Sequence, residues 1–165
     1  MPALEAGVQA PEISLSSLDG KKFSLAESLK KGPVVAAFFK VSCPVCQLAF
    51  PFLERVYQAY GKSGKFTFIG VSQDDAQDTQ TFNKRFGVTF PVLLEQNGYA
   101  VSNAYGLTNV PTVFLISPAG EIEFSWVSWS KADLEELSRR LAKLNGVSPA
   151  TIFRPGEQVP DFKPG

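Results

Sequence analysis

Apolar residues fall along this chain in two rhythms, and the points where one gives way to the other mark its elements. Ile13-Ser14-Leu15 alternates apolar with polar, and Asp19-Gly20 is a turn signal ahead of Lys22-Phe23-Ser24-Leu25, which predicts an N-terminal β-hairpin. Pro33-Val34-Val35-Ala36-Ala37-Phe38-Phe39 is instead a continuous apolar run rich in β-branched and aromatic residues. A central strand covered on both faces reads this way, because neither side of its pleat meets water.

From Val45 the spacing changes. Leu48, Phe52, Val56 and Tyr60 recur at helical intervals, and Leu53 and Tyr57 widen the apolar stripe until Gly61 ends it. Pro51 is expected to kink this helix, since it lacks an N–H and crowds the preceding turn. A second strand, Phe66-Thr67-Phe68-Ile69-Gly70-Val71, leads into polar Ser72-Gln73-Asp74-Asp75, and a helical stretch through Phe82 and Phe86 stops at Gly87. The alternation is βαβ-like.

A short strand at Pro91-Val92-Leu93-Leu94 and a helix near Tyr99 to Tyr105 follow. Thr112-Val113-Phe114-Leu115-Ile116 and Glu121-Ile122-Glu123-Phe124 then flank Ser117-Pro118-Ala119-Gly120 as an antiparallel hairpin. Ser130 with Asp133 resembles a capping box, and Leu134, Leu137, Leu141 and Leu144 form one apolar helical face expected to pack into the core.

With 165 residues, 44% of them hydrophobic, the chain fits one domain better than two. We place that domain at residues 1–146, followed by a Pro/Gly-rich tail at 147–165 whose prolines 149, 155, 160 and 164 predict an extended segment. Inside the tail, Gly156-Glu157-Gln158-Val159-Pro160-Asp161-Phe162 echoes Gly7-Val8-Gln9-Ala10-Pro11-Glu12-Ile13. The echo arises either by chance or because both segments pack equivalently against the domain edge. Trp126 and Trp129 bracket the end of a strand, where core packing is the expectation and a partner surface the alternative.

Sixteen basic residues balance sixteen acidic ones, so overall charge steers the protein toward neither nucleic acid nor an anionic membrane. The longest purely apolar stretch, Val34 to Phe39, is far short of the roughly 20 residues a spanning helix needs. Met1-Pro2-Ala3-Leu4-Glu5 lacks the basic start and apolar run of a secretory signal, which makes a cytoplasmic location the default expectation and an extracytoplasmic one the alternative if a signal has been removed.

The chemistry rests on Cys43-Pro44-Val45-Cys46, placed where a strand turns into a helix. A thiolate at a helix N-terminus is favoured by the macrodipole and by unpaired backbone N–H groups, so Cys43 is the expected attacking sulfur. Cys46 lies one helical turn on, where it can attack a mixed disulfide on Cys43 and release a reduced substrate. Structural zinc wants four ligands, and this chain offers two cysteines and no histidine. A structural disulfide over so short a loop contributes little chain-entropy stabilisation.

Beyond that motif, Gly7-x-x-x-Pro11, Asp19-Gly20, Phe38-Phe39 ahead of the cysteines, Pro51, Phe90-Pro91-Val92-Leu93 and Val110-Pro111-Thr112 occur together. In these the chain, over roughly residues 7 to 145, resembles the redoxin branch of the thioredoxin superfamily, which includes the AhpC/TSA and TlpA-like proteins. The resemblance implies an α/β thioredoxin-like fold: a central mixed β-sheet with helices on both faces, an N-terminal β-hairpin and, here, an extended C-terminal tail. It implies a thiol-disulfide oxidoreductase in which Cys43 attacks and Cys46 resolves, with Pro44 and Val45 supporting them. It also implies a cis Pro111 facing the active-site sulfur, with Val110 and Thr112 beside it as substrate-binding residues. Main-chain groups of Val110 would then pair with an extended substrate segment, as in β-strand addition.

This chain departs from the family pattern at several positions. Thioredoxins carry a buried Asp six residues before the first cysteine, and TlpA-like proteins often carry a Glu three residues after the second; here those positions are Ala37 and Ala49. No side chain is thereby assigned as the base for Cys46. Ser42 replaces the usual tryptophan, and Lys40, three residues before Cys43, is a candidate to stabilise the thiolate or is simply solvated.

Peroxidase activity is the main enzymatic alternative. Its Pro-x-x-x-Thr/Ser-x-x-Cys loop is not met, because counting back from Cys43 gives Lys40 and Ala36, and from Cys46 gives Cys43 and Phe39. A copper-binding module of the same fold needs a histidine with its cysteines, and the chain has none. The expected partners are a disulfide-containing protein substrate and a separate thiol electron donor, acting on a monomer without metal, with the Cys43–Cys46 disulfide as the only redox group.

Overall fold

The apolar run after Pro33 becomes strand β3 (Val34–Phe39), every residue of which is buried. The computed structural model describes residues 3–95 and 98–165, so the Met1-Pro2 start lies outside it. The remaining main strands are β1 (Ser14–Ser17), β2 (Lys22–Ser24), β4 (Thr67–Ser72), β5 (Val92–Leu94), β6 (Thr112–Ile116) and β7 (Ile122–Val127). They form one seven-stranded sheet in the order β2-β1-β5-β4-β3-β6-β7. β4 runs parallel to both β3 and β5, whereas β6 is antiparallel to β3 and β7 to β6. The predicted N-terminal hairpin pairs β1 with β2, and its β1 adds antiparallel to β5. The sheet is therefore mixed.

Helices cover both faces: α1 (Leu25–Leu29) and α4 (Ala100–Ala104) on one, α2 (Pro44–Tyr60), α3 (Ala76–Phe86) and α5 (Lys131–Asn145) on the other. Alternation along β3 divides its side chains between two cores. Val35, Ala37 and Phe39 join the larger one with Phe50, Leu53, Phe82 and Leu137. Val34, Ala36 and Phe38 meet Leu25, Tyr105 and Phe114 on the opposite side. This two-sided burial is why the strand lacks any polar residue. Its C-terminal end delivers the chain to Cys43.

The helix ends follow the sequence signals. The Asp78 N–H donates to Asp75 Oδ1 at 2.8 Å and the Asp133 N–H to Ser130 Oγ at 3.2 Å. Gly87 and Gly146, at φ 71° and 66°, close α3 and α5 in the left-handed region, which a side chain disfavours. Pro51 lies inside α2 without ending it.

One expectation needs correction. Leu144 is 37% exposed rather than packed, because the buried face of α5 is centred toward Ser138 and Ala142, and Leu144 falls on its far flank. The tail, in which no strand pattern is legible, contains strand β9 (Phe162–Lys163), paired antiparallel with β8 (Trp129–Ser130). A two-residue pairing made by backbone groups alone leaves no alternation to read. Trp126 and Trp129 are both buried, as core packing requires.

The echoed segments share docking features, offset by one residue at the helix contact. Gly7 and Gly156 both have positive φ, at 92° and 79°. The carbonyl of Pro11 accepts from Tyr105 Oη at 2.6 Å, and that of Pro160 from Trp129 Nε1 at 2.6 Å. In each, a carbonyl of the segment then accepts from the start of a helix: Ile13 from the Leu25 N–H, Asp161 from the Lys131 N–H, both at 2.9 Å.

Candidate active site

Cys43 is the N-cap of α2, with Pro44 in the first helical turn, where a missing N–H costs nothing and the fixed φ suits the helix. The Cys46 N–H therefore points back at Cys43 Sγ, 3.2 Å away. The Cys46 thiol and the Val45 N–H are the other neighbouring groups that favour a thiolate there. The Cys46 thiol is the principal cause that lowers the Cys43 pKa from the ordinary thiol range to about 6, with the two amides next and the Lys40 charge last. Lys40 itself is exposed at the end of β3.

Cys46 is the opposite case. It is completely buried, beside Ala49 and Phe50 in the larger core. Desolvation pushes its pKa upward, and the neighbouring Cys43 adds to that by accepting its S–H. Ala37 and Ala49, which stand where the related families place carboxylates, are buried in the same core, so the alanines leave the inner thiol in apolar surroundings.

Across the sulfurs lies the loop before β6. The Val110–Pro111 peptide bond is cis. The Cys43 thiol faces the Val110 carbonyl, with Sγ and O 3.5 Å apart. Thr112 does not share this surface: it is fully buried, and its hydroxyl donates to the Asn109 carbonyl at 2.8 Å. That bond braces the loop through the Thr112 side chain. Cys43, Pro44, Val45, Cys46, Val110 and Pro111 thus come together, with Lys40 at their margin.

Sequence reasoning missed Asp74. Its Oδ2 accepts the Val41 N–H at 2.8 Å, tying the end of β4 to the turn that carries Cys43. Gln47 Nε2 holds the Val41 carbonyl at 2.9 Å from the other side. In the sequence Asp74 is one of a polar run ahead of a helix, whose cap is Asp75. Among the described residues no three His, Cys, Asp or Glu side chains converge as a metal site. At the peroxidase-loop positions counted back from Cys43, Ala36 is buried in β3 and Lys40 is exposed.

A seven-stranded thioredoxin-like sheet that delivers an N-capping, low-pKa cysteine opposite a cis-proline defines a dithiol redox site. The sequence model of the AhpC/TSA family matches residues 6–125, and the chain belongs to that family. It is 31% identical over 121 residues to the thiol-disulfide oxidoreductase ResA of Geobacillus thermodenitrificans, covering 73% of this chain and 68% of the relative. It is 36% identical over 118 residues to the ResA of Halalkalibacterium halodurans, covering 71% of this chain and 65% of the relative. The match therefore spans about two thirds of each relative's own length. Among solved structures, the thioredoxin domain of a thiol-disulfide oxidoreductase from Bacteroides vulgatus superposes with a TM-score of 0.73 at 26% identity, covering 84% of this chain and 98% of that one.

Proposed function

We propose that this protein is a thiol-disulfide oxidoreductase acting on protein disulfides. The observation that carries the reading is the asymmetry of the pair: a partly exposed Cys43 with a pKa of about 6, and a buried Cys46 held as a thiol one turn away. The Cys43 thiolate attacks one sulfur of a substrate disulfide, forming a mixed disulfide and expelling the other sulfur as a thiolate. Cys46 then loses its proton to water or to the departing thiolate and attacks Cys43 Sγ. The substrate leaves as a dithiol, and a Cys43–Cys46 disulfide remains. A separate thiol donor returns two electrons and two protons to that disulfide.

Val110 supports this assignment, because a carbonyl beside the nucleophile can pair with an extended substrate segment while the disulfide is presented to Cys43. Among the described residues no helix is long and apolar enough to cross a membrane. In a compartment kept reducing by thiols the pair works as a reductant, and in an oxidising one it needs a dedicated donor.

The deciding experiment is an equilibrium titration of the pair in a glutathione or dithiothreitol redox buffer, with Cys43→Ser as the control. A reversible two-electron transition at low potential is expected. If no reversible disulfide forms, the oxidoreductase assignment is lost.

A further inference from the structure

The chain after α5 divides into two unlike parts. Residues 147–160 are anchored. Ile152 is 6% exposed, and the Phe153 ring lies 5.2 Å from that of Phe52. Arg55 clasps the Glu157 carboxylate through two hydrogen bonds of 2.8 Å, and Trp129 Nε1 holds the Pro160 carbonyl. Residues 161–165 are all exposed, Phe162 to 58%, yet their path is fixed by backbone pairing with β8.

That path ends on the active-site loop. The Gly165 N–H donates to Ser128 Oγ at 2.9 Å, and Asn109 Nδ2 donates to the Gly165 carbonyl at 2.8 Å. Gly165 is thereby pressed against Val110: a Cβ on it would stand 2.2 Å from the Val110 carbonyl oxygen and 2.9 Å from its carbon. This is the same oxygen that Cys43 Sγ faces at 3.5 Å. The nucleophile and the strap thus both border the Val110 carbonyl.

We propose that residues 161–165 are an intramolecular stand-in for substrate, an extended strand seated at the Val110 edge that must leave before a disulfide-bearing polypeptide pairs there. The proposal rests on the oxidoreductase assignment above and adds its substrate class. The Ser128 and Asn109 side chains hold the end of the strap there, and the close approach at Val110 admits only a residue without a side chain facing it. A protein disulfide presented in an exposed extended segment competes with the strap. A small disulfide reaches the partly exposed Cys43 without pairing and does not compete. The strap therefore raises the apparent KM for protein substrates in inverse proportion to the fraction of time it is unseated.

The test uses the full chain carrying Gly165→Val, which places a side chain where the Val110 carbonyl stands, and separately Ser128→Ala, which removes the acceptor of the Gly165 N–H. Each is assayed with insulin and with bis(2-hydroxyethyl) disulfide, using dithiothreitol as donor, while hydrogen exchange follows residues 161–165. The expected result is faster exchange in the strap, an insulin KM lower by about threefold or more, and unchanged turnover of the small disulfide. Released strap amides with an unchanged insulin KM would overturn the proposal. So would unchanged exchange in Gly165→Val, because the strap would then not be seated on Val110. If the wild-type chain turns over neither disulfide faster than its Cys43→Ser variant, the oxidoreductase assignment itself fails and takes this proposal with it.

Discussion

Cys43 and Cys46 share one helix and one element, yet the ground beneath them differs in every respect that governs a thiol. Cys43 occupies the cap of α2, where N–H groups converge on its sulfur and solvent reaches it. Cys46 sits one turn lower among Ala49, Phe50 and the side chains beneath β3, with no solvent contact. The first site stabilises a thiolate, and the second penalises one. The contrast teaches that reactivity is set by depth along a helix of only one turn. It also gives a division of labour: the sulfur that attacks is charged in advance, and the sulfur that resolves stays protonated until substrate is attached.

The largest effect comes from removing either sulfur. Cys43→Ser is expected to lower disulfide turnover on the order of a thousandfold or more, since no other thiol reaches the surface. Cys46→Ser removes turnover too but leaves the first attack intact, so a mixed disulfide with substrate accumulates and is visible by intact mass. Accumulation on Cys46 in the Cys43→Ser variant would reverse the assigned roles.

An intermediate effect concerns pH. Alkylation of Cys43 by iodoacetamide should follow a midpoint near pH 6, and Cys46→Ala should move it up toward the ordinary thiol value of about 8.5, because the Cys46 S–H is the leading donor to the thiolate. An unchanged midpoint would assign that role to the amides of the helix instead. The same shifts act on folding with opposite signs. Cys43 has its pKa depressed in the folded chain, so its stabilisation is full above the unfolded thiol value and fades as pH falls through about 6. Cys46 has its pKa raised, so its neutral burial stabilises the reduced fold below the unfolded thiol value and is lost as pH rises above it. Urea unfolding of the reduced chain across this range should show a rise that Cys43→Ser flattens and an alkaline fall that Cys46→Ser flattens.

Much of this frame was legible in the chain. β3, α2 and the turn between them are written in apolar run, helical stripe and the Cys-Pro-Val-Cys motif, because burial on two faces and capping by a small polar atom both leave local signatures. Three features left little or no signature. Asp74 reaches the Val41 N–H across 33 residues, a contact that no spacing encodes. Thr112 follows the cis-proline in sequence but turns inward, since the register of β6 against β3 sets its side chain opposite Phe38. The strap pairs through backbone groups that any residue carries, and only the echo of Gly7–Ile13 in Gly156–Phe162 hinted that the tail docks at all.

The smallest effect separates the helix cap from the charge beside it. Lys40 lies three residues from Cys43 but is exposed, and its charge is the last of the influences that depress the Cys43 pKa. Across solvent such a charge is screened within a Debye length of about 8 Å at physiological ionic strength. Lys40→Ala should therefore raise the Cys43 alkylation midpoint by less than about half a pH unit at low salt, and by less still at high salt. A rise of a full unit, persisting in salt, would shift the origin of the thiolate from the donors at the head of α2 to the lysine. The difference between the two sulfurs would then owe more to a neighbouring charge than to depth along the helix.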